Sequence, residues 1–398
     1  MNLPGGLLLR TAEPGDRSQI EALLVDRGEA GDDIDHRLIV DDPKAGWEAC
    51  AVVLDGDRVV STATLLDETL ALGQVTLPAG QVELVATDRA YEGRGLVRAL
   101  MGWAHERSAA RGHLLQVMIG IPYFYRLFGY AYAIDIPPAR PLHQVPAGRD
   151  VLRPARAGDI PALMALQDST QADFVVRVPH SPPRWRWLLA HKTSTTYVVE
   201  RQGTLVASAR LTPPEGGLLL AEAAAADADA ATALLAGVVH LAGGAEIRVV
   251  DRRGTVTGRT WDPLLGPTRG GLEQYYLRLA DIEGVLRAVR AVLESRLRDS
   301  GLEASEVVLS TFGRHYRWPV GSDGALGPLR AGGPMQAPGS AGAVGVAPDA
   351  LGALLFGQRG LAGLTALRPD VYAGDASPLY EALFPPVTAD LLTYYLPY

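Results

Sequence analysis

The chain has 398 residues, 45 acidic against 37 basic for a net charge of −8, with 47% hydrophobic and 21% charged residues. That composition supports two to four packed domains and excludes long disordered tracts. No Lys/Arg run marks out a basic face, which argues against nucleic acid and anionic membrane as partners and favours a cationic one. Cys50 is the only cysteine and no HExxH or HxH spacing joins the eight histidines, so neither disulfides nor a metal site are expected. The opening MNLPGGLLLR lacks the basic region and apolar length of a signal peptide. The most apolar stretch, residues 218–244, is interrupted by Glu222, Asp227, Asp229 and His240, so no membrane span is expected and the location reads as cytoplasmic.

In chain order, the first element is a strand followed by a helix entered at Gly15-Asp16, whose carboxylate is placed to cap the first turn. LRTAEPGD at residues 9–16 returns as LRPARAGD at residues 152–159, and VVLDGDRVVSTATL (52–65) returns as VVERQGTLVASARL (198–211), each of the latter reading as strand, tight turn, strand. Two matches at nearly one offset indicate a duplicated domain, and Pro161 fits a first helical turn in the second copy. After its hairpin, copy one continues QVELVAT (strand), AYEGRG (loop), LVRALMGWAHERSAA (helix), LLQVMIG (strand), the pattern of an α/β fold with a mixed, twisted sheet. From about residue 277, LRLADIEGVLRAVRAVLESRLRD reads as one long amphipathic helix and VVLSTFGRHYRW as a strand. Gly/Pro-rich loops or a turn-rich hairpin occupy residues 319–348, and PDALGALLFGQRGLAGLTAL is helical again, which makes a third, smaller α+β unit.

Residues 85–98, VATDRAYEGRGLVR, put a Gly-rich loop between a strand and a helix N-terminus. Backbone N–H groups there converge with the helix dipole and can hold a pyrophosphate, with Gly93 and Gly95 allowing close approach; alone, the pattern also describes an ordinary tight turn. IPYFYRLFGY follows at residues 121–130. The pair VAxxxxYxGRGLxRAL and PxFYRLFGY resembles the acetyl-CoA-binding and closing motifs of GNAT N-acetyltransferases, over nearly all of copy one. Copy two reads AEAAAADADAATALLAGV at the matching place, without the glycine pair, which implies a lost cofactor site. The tandem arrangement with a third unit is similar to the enhanced-intracellular-survival (Eis) group. That resemblance implies a catalytic GNAT domain at residues 1–148, a degenerate one at 149–283 and a sterol-carrier-protein-like domain at 284–398. It also implies homohexamers and acetylation of polyamine substrates such as aminoglycosides.

The resemblance further implies roles for individual residues. Val85, Ala86 and Thr87 would receive the thioester carbonyl and pantetheine of acetyl-CoA, the acyl donor, and Gly93, Arg94, Gly95, Leu96, Val97 and Arg98 its pyrophosphate. Tyr125 matches the general acid, a group protonated at neutral pH because an unperturbed tyrosine titrates near 10; Tyr123, Tyr130 and Tyr132 are close in sequence, and the motif alone separates them. The base is either the C-terminal carboxylate, here that of Tyr398, or Glu83, which strand alternation places on the face of Val85 and Thr87. Glu92 stands where the family has an arginine and Arg89 where proline is common. A carboxylate there repels a pyrophosphate, so Glu92 must point away or be offset by Arg89, Arg94 and Arg98. Asp26, Glu29, Asp32, Asp33 and Asp35, with only Arg27 among them, would form an acidic mouth that concentrates cationic amines; the spacing is not that of a calcium loop. The expected activity is N-acetylation of a small cationic amine. Acylation of protein or peptide lysines, and a non-catalytic protein binding a ligand in the third domain, are the alternatives.

Overall fold

Residues 50–87 are rich in β-branched and apolar residues, and they fold as three consecutive antiparallel strands: β2 (Cys50–Asp55), β3 (Arg58–Leu72) and β4 (Val75–Thr87). The computed structural model describes every residue except 30, 147, 149–150, 192, 214–216, 270 and 392–398. β1 (Leu8–Thr11) pairs with β2, and α1 (Arg17–Arg27) and α2 (Asp32–Val40) connect them. α3 (Leu96–Ala110) then returns the chain to β5 (Leu115–Met118), parallel to β4, followed by β6 (Ala131–Asp135). Ile20, Leu24 and Ile39 of α1 and α2 pack on one face of the sheet with Val52, Leu84 and Ala86. Leu96 and Leu100 of α3 pack on the other with Val53, Val60 and Ala63. Each such buried aliphatic side chain contributes roughly 1.5–3 kcal/mol.

The second sheet contains β7 (Ala139–Pro141), β8 (Arg153–Pro154), β10 (Thr195–Arg201), β11 (Thr204–Leu211), β12 (Leu218–Ala225) and β13 (Ile247–Val250), in the order β7-β13-β12-β11-β10-β8. α4 (Ile160–Gln171), α5 (Pro182–Ala190), α6 (Ala228–Ala242) and α7 (Val256–Trp261) accompany it, while the short β9 (Val176–Arg177) pairs with the far end of β3. The two halves exchange a strand. β14 (Gln274–Leu279) inserts into the first sheet between β5 and β6, and β7 forms an edge of the second. The sequence divisions after residues 148 and 283 therefore do not follow sheet membership.

The internal repeat has a structural counterpart. Arg10 grips Asp16 in a bidentate pair at 2.7 and 2.9 Å, and Arg153 grips Asp159 at 2.8 and 2.9 Å. Each aspartate also accepts a backbone N–H from three residues earlier, Glu13 or Arg156, at 2.7 Å. The cap expected of Asp16 is thus not made: a short 3-10 turn precedes each helix, and strand arginine and turn N–H take the carboxylate first.

In the third unit the expected long helix is two, α8 (Ile282–Ala288) and α9 (Arg290–Ser300), separated at Val289 with ψ −1°, while residues 277–279 belong to β14. The expected single strand is a hairpin of β15 (Glu306–Ser310) and β16 (His315–Pro319), turned where Phe312 takes φ +63°. β17 (Arg330–Gly332), β18 (Val344–Val346) and β19 (Val371–Tyr372) complete a five-stranded sheet, with α10 (Leu351–Phe356), α11 (Gly360–Thr365) and α12 (Ser377–Leu383) against it. One continuous core joins Leu72, Leu77 and Leu115 of the first sheet to Leu293, Trp318 and Phe356 of this unit. The last strand, β20 (Ala389–Asp390), returns to pair with β9. Among the described residues no helix is long and apolar enough to cross a membrane.

Candidate active site

The site begins with a bulge in β4. Thr64 faces Glu83 and Thr62 faces Ala86, so Leu84 and Val85 share one opposing residue, and Leu84 adopts φ +51°. A non-glycine residue held there costs of order 1–3 kcal/mol, a strain typical of functional sites. β4 pairs with β5 only from Ala79 to Gln81, and beyond that point its edge has no strand partner. The bulge also interrupts the two-residue alternation. Val82 and Val85 pack in the same cluster beside Met101 of α3, whereas Glu83, opposite Thr64, lies on the α1–α2 face. Glu83 therefore does not share a face with Val85 and Thr87, as strict alternation had predicted. Ala86 packs under α1 and α2, and the Thr87 and Ser61 hydroxyls meet at 2.7 Å.

Beyond β4 the loop rises to α3. Gly93 (φ +73°) and Gly95 (φ +77°) occupy the left-handed region, and a Cβ at either would meet nothing within 4 Å. Helical bonding starts with Ala99 N–H to Gly95, and the N–H groups of residues 93–98 make no hydrogen bond to a described residue. Six donors at one helix N-terminus, with no side-chain cap, fit a pyrophosphate. Leu96 and Val97 turn their side chains inward, into the clusters beneath α3. Arg94 lies over the Tyr91 ring at 4.5 Å and Arg98 over Phe128 at 5.5 Å, both with exposed guanidinium groups. Glu92 is offset by a residue that the sequence pattern did not single out: Arg27, at the end of α1, donates to it at 2.5 Å and to the Thr87 carbonyl at 3.0 Å. Nothing short of the fold brings these two together.

In the second sheet the same bulge recurs at Glu222, also φ +51°, between pairings Ser208–Ala224 and Arg210–Ala221. There, however, the strand reaches α6 through only two residues, and Asp227 caps the helix with its own carboxylate on Ala230 N–H at 2.7 Å. That negative charge lies at the helix N-terminus and pairs with Arg201.

Tyr125, in the turn at residues 124–128, is 7% exposed and lies edge-on to Phe124, Tyr130 and Tyr276. Gly120 makes its space, since a Cβ there would fall 2.3 Å from the Tyr125 ring. Geometry separates the neighbouring tyrosines. Tyr123 is exposed, Tyr130 contacts His105 at 3.3 Å, and Tyr132 stacks on Tyr276 with their hydroxyls at 2.7 Å. The Tyr125 hydroxyl bonds to no described residue. Burial, then the nearby Glu83 charge, push it up to about 12.

Glu83 accepts from the Gln81 amide, and burial raises its carboxyl to about 8, helped by the charges of Asp32, Glu29 and Asp35. Asp32 accepts from Glu29 N–H at 2.9 Å, and burial raises it to about 6. Glu29 and Asp33 complete the cluster, while Asp26 lies exposed on α1. Asp35 is buried and committed to His191 of the second half at 2.9 Å, so it lines no open mouth. Tyr398 lies outside the described residues. The chain leading to it is anchored by Asp390, bound to Arg252 at 2.6 and 3.0 Å and to Gln171 at 2.7 Å, and by the Leu391 carbonyl on the Tyr275 hydroxyl at 3.3 Å. No group of three or more His, Cys, Asp or Glu side chains among the described residues could hold a metal ion.

A strand split beside a bulge feeds a glycine loop with six N–H groups that bond to no described residue, an arrangement able to hold an anion beside an unpaired strand edge. Residues 35–133 match the family described as acetyltransferase (GNAT) domain. Solved structures of similar fold span nearly all of it. A GCN5-related N-acetyltransferase from Kribbella flavida aligns at TM-score 0.68 and 18% identity, over 98% of this chain and 100% of the other. A probable N-acyltransferase from Enterococcus faecalis aligns at 0.70 and 11%, over 98% and 99%. Eis1 from Mycobacterium abscessus aligns at 0.60 and 16%, over 96% and 99%. No curated protein sequence matches the chain.

Proposed function

We propose that the chain transfers the acetyl group of acetyl-CoA to a primary amine of a small cationic or polyamine molecule, of which aminoglycosides are one class. The observation that carries this reading is the pairing of six free N–H groups at residues 93–98 with a half-buried acid cluster across the split between β4 and β5. Acetyl-CoA, when bound, supplies the activated acyl group. The N–H groups of Gly93, Arg94, Gly95, Leu96, Val97 and Arg98 hold its pyrophosphate, and the unpaired edge of Val85, Ala86 and Thr87 receives pantetheine and carbonyl. Glu83 faces the α1–α2 side, from which the amine enters. At neutral pH its carboxyl is mostly protonated, and a bound ammonium favours the carboxylate, so a cationic substrate helps generate the base that takes its proton. The Tyr398 carboxylate is the second candidate for that step. Tyr125 keeps its proton well above neutral pH and donates it to the departing thiolate.

Glu29, Asp32 and Asp33 supply the negative field that draws the amine in. The twin Arg–Asp pairs, the twin bulges and the overlap with Eis1 support an Eis-like organisation, with a catalytic GNAT unit and a degenerate copy whose anion site is self-capped by Asp227. The reading extends, on the family resemblance alone, to a sterol-carrier-protein-like third unit and a cytoplasmic hexamer. Free-thiol release from acetyl-CoA across aminoglycosides, linear polyamines, lysine peptides and aromatic amines tests the reading. Turnover on a polyamine supports it, turnover confined to peptides moves the acceptor class to protein lysines, and no turnover with no acetyl-CoA binding refutes it.

A further inference from the structure

A cavity of about 250 Å³ lies between the third unit and the edge strand β6, away from the glycine loop. At about 30 Å³ per water it has room for roughly eight waters, the size of a small organic molecule. Much of its wall is apolar, with Ala133 from β6 and Ala353 and Leu364 from the third unit. Its charge is uneven. Asp349 is the only acidic residue in the wall, against Arg126, Arg359 and Arg368. Arg368 is already neutralised, gripping Asp349 at 2.8 and 3.2 Å and Asp370 at 3.0 Å. Arg126 reaches Asp349 only at 3.6 Å. Arg359 is half-buried and makes no hydrogen bond or ion pair with any described residue.

The Arg359 guanidinium, with five donors and no acceptor among the described residues, is available at the cavity wall for a ligand that brings its own acceptors. A carboxylate or phosphate matches the planar donor fork, and the alanine and leucine wall suits a short hydrocarbon body. We propose that this cavity is a second binding site, for a small organic anion that joins a carboxylate or phosphate monoester to a short aliphatic chain, with Arg359 as its main anchor and Arg126 as a supporting charge. A cationic ligand is disfavoured there, because three arginines line the wall and Arg368 already pairs with Asp349, the one acidic residue among the lining.

Calorimetric titration of the full-length protein with hexanoate, hexyl phosphate and hexylamine, each with and without saturating CoA, tests this. The expected result is saturable binding of hexanoate or hexyl phosphate, no binding of hexylamine, and little change when CoA fills the glycine loop. Preference between the two anions identifies the head group. Arg359→Gln should weaken binding at least tenfold, and Ala353→Leu, which fills the cavity without touching a charge, should abolish it; thermal melts of both variants check that they fold. Absence of binding by both anions overturns the proposal. So does binding that persists in both folded variants or is displaced by CoA, since the ligand would then sit elsewhere. None of these readouts uses acetyl transfer, so the outcome is independent of the acceptor.

Discussion

The Arg27 guanidinium lies 2.5 Å from the Glu92 carboxylate and also donates to the Thr87 carbonyl, joining the end of α1 to both sides of the loop start. It offsets an acidic residue within the loop proposed to hold a pyrophosphate. Arg27→Ala frees that carboxylate, and a unit charge some 4 Å away in a watery setting is worth about 1 kcal/mol. The expected outcome in steady-state kinetics is a KM for acetyl-CoA raised roughly fivefold. Adding Glu92→Gln should restore it, while thermal stability moves little because the pair is exposed.

Tyr125→Phe keeps the buried ring and removes a hydroxyl that bonds to no described residue. Thiol-release assays should show kcat lowered about a hundredfold, the range for loss of a general acid, with an unchanged unfolding midpoint. A large loss of stability with retained turnover would make the tyrosine structural instead.

Glu83 titrates near 8 in the folded protein against roughly 4.3 when unfolded. The folded state thus binds the extra proton between these values, and the stability associated with neutral Glu83 is lost as pH rises through 8. Denaturation across pH 5–9 should therefore show Glu83→Gln becoming increasingly favourable relative to wild type, with a plateau above 8. In the same variant kcat/KM should lose a limb that, in the wild type, rises with pH to about 8.

Gly95→Ala meets no steric obstacle but must hold φ +77°. It should cost about 1 kcal/mol of stability. Acetyl-CoA affinity, measured by titration calorimetry, should fall with it, because relief of the strain turns the N–H groups of the loop away.

Asp390→Ala leaves Arg252 buried without its carboxylate partner. Breaking such a pair costs about 3–5 kcal/mol, which urea denaturation will report. Asp390 lies in β20, in the segment leading to Tyr398, so if the terminal carboxylate serves as base, turnover will fall in this variant even under conditions where it remains folded.

Much was legible in the residues themselves. Alternation located the strands at residues 52–65 and 198–211, and self-similarity located the repeated segments; Gly93 and Gly95 marked a strand-to-helix loop; the motif singled out Tyr125 among four nearby tyrosines as the proposed acid. These are local properties, encoded by backbone sterics and by spacings within a few turns of chain. The capping role expected of Asp16 did not appear, because an arginine in the preceding strand reaches its carboxylate first. The long helix near residue 289 was overread because its apolar pattern continues across the break at Val289, where ψ is −1°.

What the chain order could not reveal depends on residues far apart in it. The exchange of β7 and β14 between sheets, the Arg27–Glu92 contact, the Asp35–His191 pair and the cavity at Arg359 all arise where separate elements pack together. Even Glu83, whose residue type was plain, changed face because one extra residue in β4 shifts every side chain before it relative to those after. Sequence by itself determined which local pieces exist and which of them match an acetyltransferase motif; only tertiary packing decided which charges meet, because Coulomb and hydrogen-bond energies depend on distance in space and not on separation along the chain.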